Sequence, residues 1–256
     1  MEPILQKVFP FDVHAVRPLP GVAPLGADDW LMVDDAFAGQ MARRAQLIEE
    51  KPGEVLALLP QAWAAAGEVL AMALDIFRRD PGRGYRFEGD AVVRPDGVRV
   101  VPDMDDPLRT LGHLVQEDVC ILQREGDEHV LTGAVLCFPA SWRLDEKIGR
   151  PLVAIHEPVA HYDDTMARRV QRLFDGVQAR RPMWRFNRLW YQDPELHAPR
   201  SVHAPRRQGA GASDGPYLRS EKQSILRLPE SGAVVFTIHT FMVARADVPE
   251  AAQKSP

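Results

Sequence analysis

The residue best placed to do chemistry is His156. It follows the apolar Leu152, Val153 and Ile155 and precedes Glu157 and Pro158. Apolar packing before it and a rigid proline after it give the imidazole a fixed direction. A neutral imidazole is a common metal ligand. A histidine in an apolar setting is more often a satisfied structural residue, and the residues alone leave both readings open. His161 and Tyr162 follow closely. Two histidines five apart with a proline between them do not match the zinc spacing of a helix face. His161 stands beside Asp163 and Asp164 and reads as exposed. His239 lies in a strand-like run on the face of Val235, Thr237 and Phe241, and reads as structural.

The second candidate is polar. Alternation along Tyr217 to Leu228 puts Arg219, Glu221 and Gln223 on one face of a strand. Such a face is usually solvated; the alternative is a polar patch projecting into a pocket. Other patterns fail their context. Gly209-Ala210-Gly211 follows no strand and opens no helix, as a dinucleotide loop would. Asp103, Asp105 and Asp106 lack the glycine and terminal glutamate of a calcium loop and read as a solvated turn leading into Pro107. Ser141 has no G-x-S-x-G context. Cys120 and Cys137 sit in apolar runs without CxxC spacing and read as buried free thiols.

The elements that position these residues follow from periodicity. Residues 1–30 hold Pro3, Pro10, Pro18, Pro20 and Pro24, so they read as an arm anchored by Phe9, Phe11 and Trp30 rather than a helix. Asp34 as N-cap, then Phe37, Met41, Ala45 and Ile48, predicts a helix ending near Lys51-Pro52-Gly53. A second helix from about Gly53 or Pro60 to Arg79 presents a stripe of Trp63, Gly67, Leu70, Leu74 and Phe77, and Asp80-Pro81-Gly82 stops it. Short extended pieces follow from Tyr85. One hairpin is predicted over Asp118 to Phe138 and another over Tyr217 to Val243, turning at Pro229-Glu230-Ser231-Gly232. Between them a helix is expected from Asp163 to Arg181, then a strand-like Trp184 to Trp190, then a loop-like stretch at 197–216. The tail, 244–256, reads as frayed. Helices first and hairpins after argue for an α+β fold with an antiparallel sheet.

Composition narrows the partners. The 256 residues are 45% hydrophobic and 26% charged, with net charge −5. That balance is ordinary for a soluble domain, and nothing in it suggests a nucleic-acid footprint. The N-terminus has no signal-peptide pattern and no run reaches membrane-span length, so the expected location is the cytoplasm.

Four segments together carry a resemblance. They are Trp30 to Asp35, Gln116 to Leu122, Thr132 to Tyr162 and Tyr217 to Phe241. They resemble the alpha subunit of haem-dependent oxidative N-demethylase, over most of residues 28 to 243. The resemblance implies a PAS-like antiparallel sheet of about five strands, with N-terminal helices and one long inserted helix, in a single haem-binding domain over 31–243. It implies that His156 is the proximal ligand of haem b and that Tyr162 and Glu221 are the pocket tyrosine and glutamate. In that reading Glu221 holds a small cationic amine, Tyr162 donates a hydrogen bond to substrate or O2, and Arg219, counted with His156 as cofactor-binding, keeps Glu221 ionised by lying beside it. Electrons would come from NAD(P)H through a partner flavin/iron–sulfur reductase, because this chain has no such signature of its own. The alternatives are a non-catalytic haem-based gas or redox sensor and a haem-free PAS-like assembly module.

Overall fold

The computed structural model describes residues 2–15, 21–26, 28–156, 164–204 and 214–250. The main sheet is built from two hairpins and one strand beside them. In the first hairpin, β6 (Asp118–Glu125) pairs with β7 (Glu128–Val135). Gly126 leads the two-residue turn at φ +60°, the position where a type II′ turn needs glycine. In the second, β9 (Tyr217–Arg227) pairs along its whole length with β10 (Val234–Ala244). Gly232, at φ +70°, ends its turn. The aromatic stretch forms β8 (Met183–Tyr191), antiparallel to β9. Two short strands finish the edges: β1 (Ala23–Pro24) on β8 and β2 (Leu56–Leu58) on β7.

The resulting order is β1-β8-β9-β10-β6-β7-β2, all antiparallel. The fold is α+β, with seven strands rather than the expected five or so. The five long strands are those with sequence patterns; the two extra are edge pieces of two and three residues, too short to show alternation. A separate three-stranded sheet comprises β3 (Arg86–Glu88), β4 (Ala91–Val93) and β5 (Arg99–Val100).

One face of the main sheet carries Val119, Ile121, Val135, Leu226 and Val235. They pack against α1 (Phe37–Glu50), α3 (Trp63–Arg79) and α4 (Pro107–Leu114) through Met41, Leu70, Phe77 and Leu111. The other face carries Cys120, Leu122, Ala134 and Ile225, clustered with Leu152 of α5 (Leu152–His156) and Phe174 of α6 (Asp164–Gly176). A one-turn α2 (Pro52–Val55) joins α1 to β2.

Several helix expectations are corrected. Ala36, not Asp34, is the α1 cap residue; Asp34 instead accepts from the Ala36 N–H and from side chains elsewhere. Helix α3 starts at Trp63 because Leu56–Leu58 is a strand and a 3-10 turn covers Pro60–Ala62. Its buried face is Ala65, Ala66, Val69, Leu70, Ala73, Leu74 and Phe77, while Trp63 is exposed. The small alanines let the helix lie close to its neighbours, so the contact stripe is rotated away from Trp63 and Gly67. Helix α6 stops at Gly176 rather than Arg181. Its last carbonyls are taken by Arg227, which donates to Phe174, Asp175 and Val177. The three aspartates do not simply make a solvated turn: Asp106 accepts from the Arg109 N–H and starts α4.

Candidate functional site

Antiparallel partners project to the same face of a sheet. In β8, β9 and β10 the register places Asn187 beside Glu221 and Glu221 beside Thr240. The next row is Arg185, Gln223 and Ile238; the row beyond on the other side is Leu189, Arg219 and Met242. Three strands therefore present one polar patch on the face that α5 and α6 cover elsewhere.

Arg219 and Glu221, expected together from the sequence, are indeed together and are not solvated: they are 2% and 7% exposed. Arg219 Nη2 lies 3.3 Å from Glu221 Oε1. The same guanidinium donates to the Phe138 carbonyl at 2.6 Å and the Leu196 carbonyl at 3.0 Å. It is thus anchored to two loops as well as to the carboxylate. Asn187 holds Glu221 twice, donating Nδ2–H to Oε2 at 2.9 Å and accepting the Glu221 backbone N–H at 3.2 Å. Gln223 adds a third donor to Oε2 at 3.2 Å. The buried carboxylate is thus held by three donors, one of them a cation.

Among the described residues, three polar atoms of this patch are buried without a hydrogen-bond partner: Arg185 Nε, Arg219 Nε and Thr240 Oγ1. Burial pushes the Arg185 guanidinium below its ordinary value, and the charge of Glu221 partly offsets this. Sequence alternation along β8 does place Arg185 and Asn187 on one face. Which face of β9 they join needs the pairing register, which no local pattern supplies.

His156 is the last residue of α5. The helix is held on β7: Pro151 bridges Val130, Leu152 is buried in the sheet-face cluster, and Lys147 donates to the Ile155 carbonyl at 2.5 Å. Three strand spacings, about 14 Å, separate β7 from β9. His156 and the Glu221 patch therefore belong to one side of the sheet, with β6 and β10 between. Tyr162 and His161 lie outside the described residues.

The opposite face holds a second charged group. His239 Nδ1 is 3.0 Å from Glu117 Oε1, and its Nε2 is 2.9 Å from Asp34 Oδ2. The two carboxylates hold the imidazole protonated, raising its pKa to about 9 despite burial. A protonated, doubly paired imidazole has no lone pair for a metal, so His239 is structural. Cys120 and Cys137 are free and buried, and burial pushes both thiols up. Among the described residues, no cluster of three or more His, Cys, Asp or Glu forms a metal site. A surface cleft of about 570 Å³ lies beside Pro24, Gln178 and Met183, at the start of β8, and is lined by no acid or histidine. No helix among the described residues is long and apolar enough to cross a membrane.

The donor set suits a haem. An apolar sheet face lies under α5, the helix that ends in His156, and among the described residues buried donors without a partner stand on the same face. A family model described as haem-dependent oxidative N-demethylase, alpha subunit-like, matches residues 21–255. That description indicates dependence on haem and an enzyme of more than one subunit. With nearly its whole length matched, the chain belongs to the haem-dependent oxidative N-demethylase alpha subunit-like family.

Proposed function

We propose that the chain is the amine-oxidising subunit of a haem-dependent demethylase, with a PAS-like domain over 31–243, an arm at 1–30, a loop at 197–216 and a tail at 244–256. The observation that carries this reading is Glu221. A carboxylate is buried and held by Arg219, Asn187 and Gln223 on the sheet face that α5 covers.

In this proposal His156, the last residue of α5, would hold the haem iron. Glu221 receives the protonated amine and orients its methyl group. Arg219 holds the carboxylate in place from behind, and Tyr162 donates a hydrogen bond to substrate or O2. The buried sheet face excludes water from the reacting methyl group. The haem, of b type, supplies the redox chemistry of dioxygen. In overall balance a methylamine, O2, two electrons and two protons give the demethylated amine, formaldehyde and water. The electrons come from NAD(P)H through a flavin/iron–sulfur reductase subunit, and the cytoplasm is the proposed location.

Optical spectroscopy of the purified chain with haemin tests this. The expected result is a Soret band that His156→Ala abolishes or shifts. Dimethylamine should then perturb the ferric spectrum, and Glu221→Gln should weaken that effect by about tenfold or more. A spectrum indifferent to amines, with ready CO and O2 binding, would support a gas or redox sensor instead. Absence of any Soret band would leave a haem-free assembly module.

A further inference from the structure

We propose that Arg185 is the carboxylate-binding residue of this site. The inference rests on the haem-site reading above for its setting, but on Arg185 itself for its substance.

Arg44, Arg83, Arg94, Arg219 and Arg227 each direct guanidinium N–H groups to carboxylates or carbonyls. Arg185 directs none among the described residues, and its Nε is buried. Burying part of a guanidinium without a partner is unfavourable, and a planar fork of donors matches a carboxylate. Its direction is fixed by its neighbours. Trp184 and Phe186 point to the other face, where both pack on Phe11 at centroid distances of 5.5 and 4.8 Å. Arg185 is therefore turned to the Glu221 face, in the row of Gln223. Arg188 also has an unpartnered nitrogen, but it pairs with Ser220 and belongs to the opposite face.

Charge points the same way. Arg185 and Arg219 contribute two positive charges and Glu221 one negative, a net of +1 for the patch. A bare ammonium would meet an excess of positive charge. A carboxylate beside Arg185 neutralises that excess and leaves Glu221 free to receive a cation. Two sources of this carboxylate fit: a haem propionate, or the substrate itself, which would then be an N-methylated amino acid with its ammonium at Glu221.

The test compares wild type with Arg185→Gln and Arg185→Lys, circular dichroism confirming the fold. Haemin and its dimethyl ester are titrated into the unloaded chain, and dimethylamine and N,N-dimethylglycine into the loaded one. If the propionate is the partner, wild type prefers haemin to the ester by about tenfold or more, and Arg185→Gln removes the preference. If the substrate is the source, the two porphyrins bind alike. N,N-dimethylglycine then perturbs the spectrum at about tenfold lower concentration than dimethylamine, and only wild type shows this. Arg185→Lys, which keeps charge but loses the fork, should be intermediate, and it is read alone if Arg185→Gln does not fold. Equal behaviour of the variants and wild type in both titrations overturns the proposal. If no Soret band forms, the haem reading fails separately. The thermal shift of the unloaded chain with N,N-dimethylglycine then decides: a shift lost in Arg185→Gln supports carboxylate binding, and no shift in wild type overturns it.

Discussion

Asn187 shows how one side chain can set the geometry of another. Its amide is used at both ends, on the Glu221 carboxylate and on the Glu221 backbone N–H. The second contact ties the side chain to the strand register, so Glu221 cannot swing without breaking it. Asn187→Ala should leave haemin binding unchanged and weaken the amine-induced spectral shift several-fold, the order of one or two lost hydrogen bonds at ~1 kcal/mol each. A titration with unaltered amine affinity would show that Arg219 and Gln223 suffice. At this scale the sequence was half readable. Alternation assigned Arg219, Glu221 and Gln223 to a common face, but the charged composition pointed to solvent. Burial comes from the loops at Phe138 and Leu196, whose carbonyls Arg219 holds. Those loops are distant in sequence and leave no mark on the strand itself.

Elements with local signals were legible, and those defined by neighbours were not. The β6–β7 and β9–β10 hairpins appear in the sequence because their turns hold glycines at the positions that need positive φ. Helix α4 was missed although Leu108, Leu111 and Leu114 recur at steps of three: its eight residues, opened by Pro107 and containing Gly112, are shorter than the window in which a helical period stands out. The structure explains the glycine. A Cβ at Gly112 would lie 2.6 Å from Ile48 Cδ1 and 2.9 Å from Val135 Cγ2. Helix α4 can thus wedge between α1 and β7 only without a side chain there. Alanine would add helix propensity of about 1 kcal/mol, but overpacking costs typically ~1–3 kcal/mol. The Ile48 methyl can rotate away, whereas Val135 is β-branched and stiff. Gly112→Ala should therefore destabilise by up to about 2 kcal/mol in chemical denaturation. A neutral or stabilised variant would show that the wedge is looser than these contacts indicate.

At the scale of the whole molecule, His239 gathers distant parts. Asp34 precedes α1, Glu117 precedes β6, and Gln6 of the arm donates to Asp34 and to the Thr240 carbonyl. The imidazole is protonated in the fold, its pKa raised to about 9 from the usual 6.5. A raised pKa means stability fully present below pH 6.5 and lost as pH rises through about 9. Stability should fall across that window by at most ~1.4 kcal/mol per pH unit. At the acid end the depressed Asp34 carboxyl works in the opposite sense, losing its contribution as pH falls below the ordinary aspartate range. His239→Gln should flatten the alkaline slope in denaturant titrations at pH 6 to 10. A slope unchanged by that substitution would place the alkaline sensitivity elsewhere.

The sheet order has one more consequence. β10 is the fourth of seven strands in space, yet among the described residues it is the last in sequence. A nascent polypeptide made through residue 204 holds β8 on one flank and β6, β7 and β2 on the other, with nothing to join them. Until the final hairpin leaves the ribosome, β6 and β8 each offer a bare row of backbone donors and acceptors to any passing strand. Truncation before Tyr217 would not trim this protein at its margin. It would remove the keystone and leave two adhesive half-sheets.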